Sequence, residues 1–250
     1  MTRQSTSSTI EGKVVAVTGG ATGIGWGIAR ALAEAGCQVV IGGRRVEKLV
    51  EAAESFSGRP PIRHHQLDVA DRASVREFFD WVAERVGPVE ILVNAAGINI
   101  IRRTMAEMAP EEWDQVMAVN ATGAYNAMAA VLPGMRSRGE GIIINISSVS
   151  GKRAFTLGGV AYCASKFAAT ALGTAVGNEE GAHGIRVTNI YPGEVDTPIL
   201  QQRPQPVSAE HRARILQPED FGPIVRTICE LPPRVHVPEI IVKPTWQEYV

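Results

Sequence analysis

The stretch VVAVTGGATGIG, at positions 14–25, decides the fold. Small and β-branched apolar residues run straight into a glycine-rich turn, and a segment with helical periodicity follows to about Ala35. Gly19, Gly23 and Gly25 are spaced G-x3-G-x-G, not the literal G-x-G-x-x-G, but the physical task is the same. Glycine permits a tight turn and lets backbone N–H groups approach a pyrophosphate at a helix N-terminus. A strand–glycine–helix unit is also a common structural turn, so its meaning depends on what surrounds it.

Outward from that unit, the chain alternates apolar runs with helical patterns. Strands are predicted at 14–17, 39–41, 62–67, 89–93, 142–146, 185–190 and 240–242. Gly36 suits the left-handed position after the first helix, and Gly58 with Pro60 and Pro61 stops the second, at 46–56. Asp71 is placed to cap a helix over 73–86 that closes at Gly87 and Pro88. Pro110, with Glu111 and Glu112 in the first turn, opens a long helix toward Arg136. The segment 161–173, which carries Tyr162, reads as the start of a helix. Continuously apolar strands separated by helices indicate an α/β chain. The prediction is one Rossmann-fold domain over 12–250, a doubly wound, mostly parallel seven-stranded sheet with helices on both faces. The proline-rich stretch 198–218 stands apart; with the residues before it, 194–218, it reads as a substrate lid, the alternative being an ordinary variable surface loop.

Composition narrows the function classes. At 250 residues the chain can bury one large core, and its net charge of −1 offers no footprint for nucleic acid or an acidic membrane. Cys37, Cys163 and Cys229 lack metal-ligand spacing and read as buried small hydrophobes, so no metal is expected. Positions 1–11 are polar and predict a short disordered lead. No transmembrane run is evident, and a soluble cytoplasmic protein is expected.

Two further clusters carry chemistry. The second strand ends in Gly42-Gly43-Arg44-Arg45, where an NAD site would place a carboxylate for the ribose hydroxyls. Arg44 and Arg45 could instead hold a 2′-phosphate, which favours NADP(H); NAD(H) is the alternative. Asp68, after the third strand, could accept from an adenine amino group or simply serve the local turn. Tyr162 and Lys166 stand four apart, on one helix face. A nearby ammonium would stabilise a phenolate and bring the phenol toward its working range. Ser148 follows an apolar strand where its hydroxyl could face the same site.

With these residues in view, the chain resembles the short-chain dehydrogenase/reductase family over nearly its whole length. Thr18 to Gly25 resembles the family's TGxxxGxG cofactor turn, with Thr22 and Ile24 inside it. Asp68-Val69 is similar to its adenine-side pair, and Asn94-Ala95-Ala96-Gly97 to its NAG motif. Asn120, Ser148, Tyr162 and Lys166 resemble its catalytic tetrad, Ser148 being preferred to Ser147 because an S-x-x-G ending reaches Gly151. Pro192-Gly193, with Val195 and Thr197, resembles its nicotinamide-contacting motif. The resemblance implies hydride transfer between nicotinamide and a small-molecule carbonyl or secondary alcohol. It assigns Tyr162 as acid/base, Ser148 to the reacting oxygen, Lys166 to the ribose hydroxyls and to the Tyr162 pKa, and Asn120 to a water relay. A homo-oligomer, dimer or tetramer, is implied as well. The alternatives are an NAD-preferring dehydrogenase of a polyol, steroid or hydroxy acid, and a dinucleotide sensor without turnover. Arg102, Arg103 and Arg153 stand near the expected substrate end, and the sequence leaves open whether any meets substrate.

Overall fold

All seven predicted runs become strands of one sheet in a computed structural model that describes residues 9–248. They are β1 (Val14–Thr18), β2 (Gln38–Gly43), β3 (Arg63–Gln66), β4 (Ile91–Asn94), β5 (Gly141–Ile146), β6 (Ile185–Pro192) and β7 (Glu239–Val242). The spatial order is β3-β2-β1-β4-β5-β6-β7, and every neighbouring pair is parallel. Between them lie α1 (Gly23–Glu34), α2 (Val46–Ser55), α3 (Arg72–Arg85), α4 (Pro110–Met117), α5 (Gly123–Arg138), α6 (Val160–Glu180), α7 (Ala209–Arg212) and α8 (Phe221–Glu230).

The strands are apolar throughout because each face of the sheet is covered. In β1, Val15 and Val17 pack with Ile28 and Leu32 of α1, Leu49 of α2 and Val225 of α8. Val14 and Ala16 turn the other way, toward Phe78 and Val82 of α3 and Met128 and Met135 of α5. Successive side chains point to opposite faces, so two cores need unbroken apolar strands. Complete burial of a side chain such as Phe78 is worth roughly 1.5–3 kcal/mol. The order reverses between β1 and β4, which opens a crevice beyond their carboxyl ends.

The predicted punctuation holds where it is local. Gly36 adopts φ +86° and its N–H donates to Ala33 O at 2.9 Å. Asp71 accepts from Ala73 N at 2.8 Å, and Pro110 opens α4. Tertiary contacts shape three further features. A π turn at Ala118–Thr122 interrupts the helix expected to run from Pro110 to Arg136. The helix that starts at Val160 runs on past Gly173 to Glu180. That glycine lies inside α6 because a Cβ there would meet Asn189 Oδ1 at 2.2 Å and Asn145 Nδ2 at 2.5 Å. The 198–218 stretch carries a 3-10 turn, Pro198–Gln202, then α7, and returns to its base through a parallel bridge between Val195 and Leu216.

The lead expected at 1–11 falls mostly outside the described residues, at 1–8. Within the described part Ile10 is 2% exposed, so core packing begins ahead of Gly12. Cys37, Cys163 and Cys229 are buried and unpaired. No helix among the described residues is long and apolar enough to cross a membrane.

Candidate active site

The glycine turn and the segment after β4 are locked together at the crevice. Thr18 Oγ1 accepts from Ala95 N and Ala96 N, both at 3.2 Å. Gly19 has φ +64°, and a Cβ on it would lie 2.8 Å from Ala96 Cα. Glycine is required here twice over, by conformation and by contact. Gly25 sits as closely on Gly19 O, 2.5 Å from where its Cβ would be. Thr22 precedes α1 without a side-chain cap, and the first turn carries no acidic residue. Its N–H groups therefore remain for an anion, and the donor set fits a pyrophosphate.

A cleft of about 950 Å³ runs from this turn across the carboxyl ends of the strands. Gly19, Thr22, Gly23, Ile24 and Gly25 line it beside Arg44, Arg45, Asp68 and Val69. Ala95, Gly97 and Lys166 line its middle, and Ser148, Tyr162, Pro192, Gly193, Val195 and Thr197 complete it. Two expected site residues lie behind the cleft. Asn94 and Asn120 border a separate cavity of about 10 Å³, shared with Thr18, Asn145 and Lys166. Asn94 Nδ2 donates to Asn145 Oδ1 at 3.0 Å, and its Oδ1 has no hydrogen-bond partner among the described residues.

At the adenosine end, Arg44 and Arg45 are exposed at the end of β2, with no carboxylate among Gly42, Gly43 and themselves. Asp68 has one oxygen committed to Ala70 N at 3.0 Å, which makes it a turn residue that also faces the cleft.

At the far end the hydroxyl groups converge. β5 delivers the two serines and divides their tasks. Ser147 Oγ turns to Lys166 O at 3.2 Å and Thr170 Oγ1 at 3.0 Å. Ser148 Oγ accepts from Ser150 N at 3.0 Å and hydrogen-bonds the Tyr162 hydroxyl. Burial pushes the Tyr162 pKa up, opposed by the Ser148 hydrogen bond and by the charge of Arg103. Lys166 Nζ donates to Ile146 O at 2.8 Å and stands 5.6 Å from the Tyr162 ring centroid. Burial brings its own pKa down to about 8. Thus Tyr162 rests as the phenol, the proton-donating form.

The π turn explains the buried Asn120. Its Oδ1 accepts from Ile98 N at 2.8 Å, and Nδ2 donates to Ile98 O at 2.9 Å and Ser165 Oγ at 3.0 Å. The extra residue of the π turn directs this amide out of the helix ladder, between the segment after β4 and α6.

Of the three undecided arginines, Arg153 is exposed and, among the described residues, donates only to its neighbour, Lys152 O. Arg102 pairs with Glu112 at 3.1 Å. Arg103 is buried in the cleft wall and holds three backbone carbonyls. Glu194, Gln202 and Arg203 also line the cleft. They carry no motif, and only the fold of the 194–218 segment brings them there.

A doubly wound sheet, a glycine cradle at its switch point and a Ser–Tyr–Lys cluster in the cleft define a dinucleotide-dependent oxidoreductase. The short chain dehydrogenase family model matches residues 13–207, and this chain belongs to that family. It is 35% identical over 241 residues to a glycine betaine reductase of Emericella nidulans, covering 94% of this chain but only 19% of that protein. An uncharacterized oxidoreductase of Staphylococcus saprophyticus is 33% identical, with coverage of 94% and 98%. Among solved structures, an alcohol dehydrogenase from the archaeon Thermococcus sibiricus complexed with 5-hydroxy-NADP superposes with a TM-score of 0.85. It is 30% identical, and the match covers 95% of this chain and 99% of that one. Family and site together make the protein an NAD(P)-dependent enzyme.

Proposed function

We propose that the protein is an NADP(H)-dependent oxidoreductase acting on the carbonyl or secondary alcohol of a small molecule. The observation that carries this reading is one continuous cleft joining the α1 N-terminus and Arg44–Arg45 to the Ser148–Tyr162 hydroxyl pair. The nicotinamide supplies or accepts the hydride at the carbonyl carbon. The α1 N–H groups would hold the pyrophosphate, Arg44 and Arg45 the 2′-phosphate, Asp68 the adenine, and Lys166 the nicotinamide ribose. Pro192, Gly193, Val195 and Thr197 would flank the nicotinamide.

In reduction, Tyr162 gives its proton to the developing alkoxide, and Ser148 hydrogen-bonds the same oxygen. The raised Tyr162 pKa suits that direction at neutral pH, since the phenol is the resident form. Oxidation needs the phenolate and is favoured by alkaline pH. The amide of Asn120 is fully engaged, so its contribution is to fix Ile98 and α6 around the small cavity. A single water there would lie between Asn94 Oδ1 and Lys166 and could return the proton. Segment 194–218 serves as the lid. Homo-oligomerisation is part of the reading and draws on the exposed Tyr125 of α5 and Phe167 of α6.

The cofactor assignment is tested by titrating NADPH and NADH against the wild type and the Arg44→Ala/Arg45→Ala variant. The expected result is at least a tenfold loss for NADPH with little change for NADH. Equal losses, or tighter NADH binding by the wild type, would remove the 2′-phosphate argument.

A further inference from the structure

We propose that the substrate carries a carboxylate and that Arg103 binds it; this rests on the carbonyl-reduction reading above and names its substrate class. Arg103 lines the cleft and is 8% exposed. A guanidinium does not lose its proton in a protein, so this is a buried positive charge at any working pH. Its partners do not cancel that charge. Nε donates to Ile100 O at 2.8 Å, Nη2 to Gln202 O at 2.8 Å, and Nη1 to Leu157 O. All three are backbone carbonyls, and among the described residues no carboxylate lies within ion-pair distance. The three bonds draw together the segment after β4, the loop before α6 and the lid. They fix the guanidinium in place, yet they use only three of its five N–H groups, leaving one on each Nη.

The neighbouring cations are already answered. Arg102 is paired with Glu112 at 3.1 Å, and Arg203 with Glu194, also at 3.1 Å. Lys166 is held by Ile146 O and is assigned to the cofactor ribose. Arg103 is therefore the cation of the substrate end still lacking an anion. Arg103 O accepts from Val160 N at 3.1 Å, at the start of the helix that carries Tyr162, and both side chains line the cleft. Ile100, Phe155, Leu157 and Leu200 add apolar surface to this end of the cleft. A desolvated charge without a counter-ion is costly to keep unless a ligand supplies one. The chemistry that fits is an oxo acid, or its hydroxy acid, with an apolar chain. Two N–H groups on one planar guanidinium match the two oxygens of a carboxylate.

The test uses the full chain with NADPH and three probe pairs: 2-oxo-, 3-oxo- and 4-oxopentanoate, each against its methyl ester. Dihydroxyacetone phosphate serves as a phosphate arm. At least one acid should exceed its ester in kcat/KM by on the order of ten- to a hundredfold, mainly through KM. Arg103→Met should bring that pair to parity, while Arg103→Lys, which keeps the charge but not the fork, should retain part of the preference. Pentanoate should bind the protein–NADP⁺ complex more tightly than pentanamide, and Arg103→Met should remove that difference too.

If Arg103 only holds the three segments, Arg103→Met lowers acid and ester alike and leaves their ratio unchanged; that result overturns the proposal. So does a wild type that prefers the esters, treats each pair equally, or favours dihydroxyacetone phosphate over every oxo acid. Should Arg103→Met not fold, the wild-type ratios and the pentanoate comparison decide. Absence of any carbonyl reduction alongside selective pentanoate binding would refute the reductase reading and leave the carboxylate site standing.

Discussion

Lys166 should cost the cofactor-free protein stability, and replacing it with methionine should recover that cost. The ammonium is 5% exposed and has one backbone acceptor, Ile146 O at 2.8 Å. Burial lowers its pKa from 10.5 to about 8. At about 1.4 kcal/mol per pH unit, the difference corresponds to about 3 kcal/mol against the folded state at neutral pH. The sign follows from the protons bound. Between pH 8 and 10.5 the unfolded chain holds more protons at this lysine than the folded one, so stability rises with pH across that window. Below pH 8 the penalty is present in full. Lys166→Met removes the charge and keeps most of the packing, but it leaves Ile146 O without its donor, at about 1 kcal/mol. The net expectation at pH 7 is a gain of about 2 kcal/mol, or roughly 4–8 °C in Tm for a chain of this size. By pH 10.5 the charge penalty is nearly gone while the lost Ile146 O bond remains, so the gain should vanish and turn into a loss of up to about 1 kcal/mol. Paired thermal and denaturant unfolding curves at pH 7 and pH 10.5, without cofactor, measure it. A variant less stable than wild type at pH 7, or a difference that does not change with pH, would refute the reasoning. Such a gain would be bought with function, since the same variant should lose turnover.

Two glycine substitutions separate the cofactor site from its support. Gly19→Ala forces an L side chain into φ +64° and sets its Cβ 2.8 Å from the Ala96 backbone. It should destabilise by about 2 kcal/mol or more and abolish NADPH binding, read by unfolding and by fluorescence titration. Gly173→Ala lies away from the cleft but drives a Cβ onto Asn189 Oδ1 and Asn145 Nδ2. It should cost roughly 2–4 kcal/mol by breaking the Asn94–Asn145–Asn189 hydrogen-bond row. Unchanged stability there would mean that the helix shifts to make room and that the row is not held as described.

The sheet was legible because its cause is local in sequence. Strands buried on both faces must be apolar at every position, and Val14 to Val17 and Ile142 to Ile146 can hardly be anything else. The cleft ends were legible for a related reason, since glycine cradles and strand-end arginines lie where the chain leaves the sheet. What escaped is what depends on contacts between distant segments. The need for glycine at 173 is not visible in the sequence, because the reason for the missing side chain, Asn189, is sixteen residues away in β6. The π turn at Asn120 answers to Ile98 and Ser165, which no helical periodicity can register. Arg103 stays ambiguous in the sequence until Leu157 and Gln202, in two later loops, are folded onto it. The resemblance implied a Lys166 that lowers the Tyr162 pKa. In the cofactor-free protein, burial raises Tyr162, while Arg103 and Ser148 pull it down.

The central claim is that Tyr162 handles the proton in a reaction whose hydride comes from NADPH, and Tyr162→Phe tests it most directly. On a verified carbonyl substrate, the variant should lose turnover by about a hundredfold or more while its NADPH dissociation constant changes little. Wild-type turnover in a folded, NADPH-binding Tyr162→Phe variant would contradict the account.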